Sequence, residues 1–135
     1  MSDYMKSAPR DNPSFVVFGL YLIVIVLMLF CFSSKGQEKI DNLKKIKNGL
    51  VVLEVNADFN AANSVSFLSQ LKDCKAYRID LSNANELKVK TVPTLIVFDG
   101  GKEQKRFDAN IMMKCDARFD DVQNAINEVT LNKFQ

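Results

Sequence analysis

Thiols are the first groups in this chain to weigh as chemistry. Cys31, Cys74 and Cys115 are odd in number and far apart. Disulfide exchange needs an attacking thiolate with a second thiol in reach, and a zinc knuckle needs ligands only a few residues apart. The spacing of these cysteines is neither that of a metal knuckle nor that of a disulfide framework. The 135 residues contain no His. That removes the commonest general base, the usual Ser-His-Asp triad and most zinc sites. Net charge is +2 with the basic residues scattered, which lacks the clustered footprint of a nucleic-acid binder. No cofactor, metal or small-molecule substrate is called for by these residues, and the protein is expected not to be an enzyme.

The elements that would position any site begin with a membrane segment. No charged residue occurs from Asn12 to Ser34, and "FVVFGLYLIVIVLMLFCF" (Phe15 to Phe32) is apolar but for one Gly and one Tyr hydroxyl. As a helix it would be about 27 Å long, close to the roughly 30 Å of a hydrocarbon core. A cleavable signal peptide is the rival, but its apolar region would be shorter and "CFSSKG" lacks a good cleavage site. The expected organisation is a polar tail over 1–13, a transmembrane helix over 14–34 in the lipid bilayer, and a folded domain over 35–135. Lys6 and Arg10 precede the span, whereas Lys35, Lys39, Lys44, Lys45 and Lys47 follow it. The positive-inside rule then places the C-terminal domain on the cytoplasmic side of a single-pass protein.

In the soluble part, "GQEKIDNLKKIKN" (Gly36 to Asn48) reads as an amphipathic helix through Ile40, Leu43 and Ile46. "LVVLEV" (Leu50 to Val55) has the length and continuous apolarity of a buried strand. A second helix is expected over "NSVSFLSQLKD" (Asn63 to Asp73), a strand over "AYRIDL" (Ala76 to Leu81), and a short helical piece in "NANELKVK". "TLIVFD" (Thr94 to Asp99) and "KEQKRFDA" flank Gly100-Gly101 as a hairpin. "RFDDVQNAINEVTLNKF" carries Phe119, Val122, Ile126 and Val129 at helical spacing. A βαβ unit followed by a ββα unit makes an α/β sandwich with a mixed sheet and helices on both faces. Periodicity alone leaves open how the halves join.

Over about Gln37 to Phe134 the chain resembles the thioredoxin-like superfamily. The resemblance rests on "LVVLEVNADF" leading into the next helix, on "VKTVPTLIVFDGGK" (Val89 to Lys102), and on the amphipathic helix at each end. It implies a thioredoxin-like three-layer sandwich around a mixed central sheet. It also implies a cis Val92-Pro93 bond facing the active-site loop, and a peptide-binding groove at Val92, Pro93 and Thr94.

The redox members of that family carry Trp and then Cys-x-x-Cys at the start of the second helix. Here "FNAAN" stands in that place, so the degenerate motif is Phe59, Asn60, Ala61, Ala62 and Asn63. An Asn amide can neither attack a disulfide nor resolve one. The helix N-terminus that would depress a thiol pKa is expected to remain, with Asn63 or Ser64 as its cap and Phe59 packed. The family's buried acid and lysine fall on Glu54 and Arg78, expected here as a structural ion pair beneath the loop.

The resulting expectation is a non-catalytic, membrane-anchored thioredoxin-like domain, a structural and interaction module with protein partners in a larger membrane-associated assembly. The alternative is a divergent thiol-disulfide oxidoreductase or a chaperone-like partner of one. Fourteen Lys against four Arg, with twelve Asn, is a bias expected of an AT-rich genome. One setting that fits is a minor structural protein between the inner membrane and capsid of a large DNA virus.

Overall fold

A computed structural model describes residues 13–32 and 37–135. The chain divides into two compact units, with the boundary between Lys35 and Gly36.

The first unit contains helix α1, Pro13–Phe32. The side chains described along it, Val16 to Leu27 among them, are exposed all round its circumference. Within what is described, no helix is long and apolar enough to cross a membrane. The tail over 1–12 and residues 33 and 34 of the expected span lie outside the described residues.

The second unit is built on a five-stranded mixed sheet in the order β1-β3-β2-β4-β5. Its strands are β1 Glu38–Ile40, β2 Leu50–Asn56, β3 Lys75–Asp80, β4 Thr94–Asp99 and β5 Lys102–Phe107. β3 runs parallel to β1 and β2, whereas β4 runs antiparallel to β2 and β5. "LVVLEV" is apolar on both faces because β2 is central and both faces are covered. Val51, Leu53 and Val55 join Ile40, Ile46, Tyr77, Ile79, Ile96 and Phe98 in one core. Val52 joins Val65, Leu68, Leu95 and Val97 beneath Val122, Ala125 and Ile126 of helix α2, Phe119–Asn132. Every residue of both cores lies between Ile40 and Ile126, so this unit encloses its own hydrophobic interior.

The C-terminal half follows the sequence reading. Gly100 and Gly101 turn the β4–β5 hairpin at φ +59° and +84°, the two positive values a tight hairpin turn requires. α2 opens with Asp120 and Asp121, and the Arg118 N–H donates to Asp121 Oδ2 at 2.8 Å.

Two expected helices are absent. In place of the helix over 36–48 stand β1 and a 3-10 turn, Leu43–Lys47, capped by Asn42 Oδ1, which accepts from the Lys44 N–H at 3.0 Å. Ile40, Leu43 and Ile46 recur every three residues, and three is also the 3-10 period. The helix over 63–73 is replaced by two 3-10 turns, Asp58–Asn63 and Leu68–Gln70. The Val65 N–H donates to Glu54 Oε2 at 2.8 Å, and the Val65 carbonyl accepts from Arg78 Nη2 at 2.6 Å. Side chains of the sheet therefore take the backbone groups that a helix would need. The piece in "NANELKVK" is likewise two 3-10 turns, Leu81–Asn83 and Asn85–Leu87. The sandwich thus has one α-helix, on one face, and turns on the other.

Candidate functional site

β2 delivers Asn56 to the end of the sheet where the chain enters the 3-10 turn Asp58–Asn63. Asn60 is buried inside that turn, at a non-helical φ of −111° and ψ of 16°. Its amide nitrogen lies 3.1 Å from Asn56 Oδ1, 3.2 Å from the Val92 carbonyl and 3.2 Å from the Met113 carbonyl. Its Oδ1 accepts from Asn63 Nδ2 at 2.7 Å. Asn56 Nδ2 in turn donates to the Asn60 carbonyl at 3.1 Å and to Ser64 Oγ at 2.9 Å. One side chain thereby ties together the degenerate motif, the segment before Pro93, and the turn closed by the Asn110 N–H on the Lys114 carbonyl.

The Val92-Pro93 bond is cis, as the resemblance implied. Val92, Pro93 and Thr94 are all buried, and Thr94 Oγ1 donates to the Thr91 carbonyl at 2.6 Å. An extended peptide would pair with the backbone at this edge. The Val92 carbonyl there accepts from Asn60 Nδ2 at 3.2 Å.

Two further expectations about the loop are corrected. Phe59 does not pack: it is 75% exposed, flanked by exposed Ala61 and Ala62. Nor does an α-helix begin at Asn63 or Ser64, since the six-residue turn ends there in extended backbone. The aligned peptide dipoles that would depress a thiol pKa are missing along with the thiol.

Glu54 and Arg78 sit opposite each other on neighbouring strands and form the expected pair. Arg78 Nε lies 3.4 Å from Glu54 Oε1, yet neither atom makes a hydrogen bond there. Glu54 is fully buried, whereas the Arg78 side chain is about one-third exposed. Burial pushes the Glu54 carboxyl above its ordinary range, against the opposing pull of the Val65 N–H, Arg78 and Ser64. The two residues line a hollow of about 110 Å³ under the loop, with Lys39, Asp58 and Asp80 at its wall. That volume holds several water molecules.

The cysteines of this unit are free and half-buried. Burial, with Asp73 beside it, pushes the Cys74 thiol up to about 11. Cys115 is raised as well, first by burial, and further by Glu54 and the nearby aspartates. Both stay protonated at neutral pH, which makes them poor nucleophiles. Among the described residues no group of His, Cys, Asp or Glu could hold a metal ion.

Sequence reasoning missed Asn56, the partner that fixes Asn60, and the turn carrying Ile111, Met112 and Met113, exposed by 100%, 68% and 46%. "IMM" between Asn110 and Lys114 has no strand or helix period, and an apolar run without a period was the one available signal.

The sheet order, the cis proline and the position of α2 define a thioredoxin-like fold. The chain is similar to a thioredoxin variant from Halobacterium salinarum, 16% identical over 68% of this chain and 88% of the other, TM-score 0.51. Thioredoxin from Schistosoma mansoni is 18% identical over 67% and 92%, TM-score 0.51. That of Plasmodium falciparum is 11% identical over 67% and 97%, TM-score 0.51. These likenesses carry the fold alone. No protein-family model matches the sequence, and no curated protein matches it.

Proposed function

We propose that this protein is a non-catalytic, membrane-anchored thioredoxin-like module with a structural role in a larger membrane-associated assembly. The observation that carries the reading is Asn60. Where a redox member presents its nucleophile, this chain has a buried amide spent on four side-chain contacts that hold three loops together. A thiolate there would have to be free to attack. The raised, half-buried thiols of Cys74 and Cys115 offer no substitute.

Support for the anchor comes from α1, whose described side chains from Val16 to Leu27 are apolar but for the Tyr21 hydroxyl and lie exposed, the pattern of a helix meant for lipid rather than for a protein core. The lysines that follow it favour a domain on the cytoplasmic side. Lysine- and asparagine-rich composition supports the virion setting, between the inner membrane and the capsid of a large DNA virus.

Insulin reduction by the full chain in mild detergent, with a dithiol reductant, tests the catalytic half. The expected result is the uncatalysed rate, and turnover would establish the oxidoreductase reading instead. Alkaline carbonate extraction of membranes tests the anchor: the full chain should stay in the pellet, and release into the supernatant rejects it.

A further inference from the structure

Loop tips at one end of the sheet carry an apolar patch that the fold does not use. Phe59 and the Ile111–Met113 turn belong to adjoining loops, because the side chain of Asn60, the residue after Phe59, reaches the Met113 carbonyl at 3.2 Å. Ile111 is fully exposed, so it protrudes instead of lining anything. The hollow under the loop and the one beside Lys88 and Lys90 are walled by neither Phe59 nor the Ile111–Met113 turn. Peptide ligands are gripped in grooves, and neither of these two hollows is lined by the apolar tip.

Charge around the patch points the same way. Lys114 ends the turn, while Lys88 and Lys90 share a hollow with Thr91 and Ala109 on its flank. Among the described residues these three lysines form no ion pair. Three carboxylates border the patch too: Asp58 lies 3.7 Å from Lys39, Asp116 Oδ1 accepts from Asn110 at 2.9 Å, and Asp108 lines the hollow with Lys88 and Lys90. Protruding Phe, Ile and Met with unpaired lysines around them match an interface of acyl chains beneath anionic headgroups.

We infer that the tip formed by Phe59, Ile111, Met112 and Met113 docks onto an anionic lipid surface, with Lys88, Lys90 and Lys114 meeting the headgroups. The inference rests on the anchored reading in one respect only: a tethered domain needs a weak contact to be held against the bilayer, because the anchor supplies the high local concentration. It gives the former redox corner a lipid contact in place of a peptide.

Residues 37–135, which enclose their own cores, serve for the test without α1. Sedimentation with phosphatidylcholine–phosphatidylserine vesicles should carry the domain down, and pure phosphatidylcholine should bind less. Combined Phe59→Ser, Ile111→Ser and Met112→Ser should weaken binding about tenfold or more. These side chains are exposed, so the melting temperature should not change. Lys88→Gln, Lys90→Gln and Lys114→Gln should each cost roughly fivefold on the mixed vesicles and little on pure phosphatidylcholine. No sedimentation of the folded domain, or binding unchanged by the serine substitutions, overturns the inference. So does a soluble protein partner that the serine substitutions displace while vesicle binding is nil. Carbonate extraction of the full chain depends on none of these residues, so the anchor and the tip fail separately.

Discussion

The two halves of the sheet are held together by different physics. From β4 onward the chain uses regular elements: a hairpin on two glycines, then α2 with Val122, Ala125 and Ile126 pressed onto Val52, Leu95 and Val97. Between β2 and β3 a regular helix is replaced by short turns. The crossover over 57–74 is fixed by Glu54 and Arg78 on the Val65 backbone and by the Asn56–Asn60–Asn63–Ser64 network. A parallel crossover is usually made by a helix because the helix satisfies its own backbone. Here polar side chains perform that service, and Asn60 is one of them.

The largest expected effect falls on the apolar half. Ile126→Ala removes a fully buried side chain from beneath α2 and should cost about 3–4 kcal/mol in denaturant unfolding. The loss is global, because the helix is the main cover of that face of the sheet. If the cost is below 1 kcal/mol, α2 is not the cover, and the contrast between the halves fails.

Asn60→Ala comes next. It leaves the Val92 and Met113 carbonyls without this donor and Asn63 Nδ2 without its acceptor, at a cost of about 2 kcal/mol. Its signature should be local. Amide exchange should speed up around 57–64 and 110–114, while the β4–β5 hairpin and α2 keep their protection. Uniform acceleration across the domain would mean that the network does not work as a separate unit.

The same contrast explains what could be read from the sequence. β2, β4, β5 and α2 were legible because burial dictates their periods: continuous apolarity for a central strand, Gly-Gly for the turn, and spacing of three and four for α2. The cis Val92-Pro93 bond and the Glu54–Arg78 pair both occur where the family resemblance put them. The helices over 36–48 and 63–73 were expected because apolar residues three apart fit α and 3-10 geometry alike; over 63–73 the long-range claim of Glu54 and Arg78 on Val65 decides, and over 36–48 the pairing of β1 with β3 does. Asn60 could be recognised as standing where the resembled family carries a cysteine, but its partners in Val92 and Met113 are set by tertiary approach, which carries no local signal.

The smallest effect, and the sharpest test of how the polar half is tuned, lies in Glu54. Its carboxyl is raised above the ordinary range, so the folded chain holds this proton to higher pH than the unfolded chain does. Where the folded state binds more protons, stability falls as pH rises. The Glu54 contribution should therefore be neutral below the ordinary carboxylate pKa. It should turn unfavourable as pH climbs from there to the raised value, and remain so above it. Glu54→Gln keeps an acceptor for the Val65 N–H but has no charge to bury. The substitution should raise stability at pH 8 relative to pH 4, which removes part of the pH dependence of unfolding. Equal stability changes at both pH values would mean that Glu54 titrates as an ordinary carboxylate. In that case Arg78, 3.4 Å away, offsets its burial in full, and the polar half is as well satisfied as the apolar one.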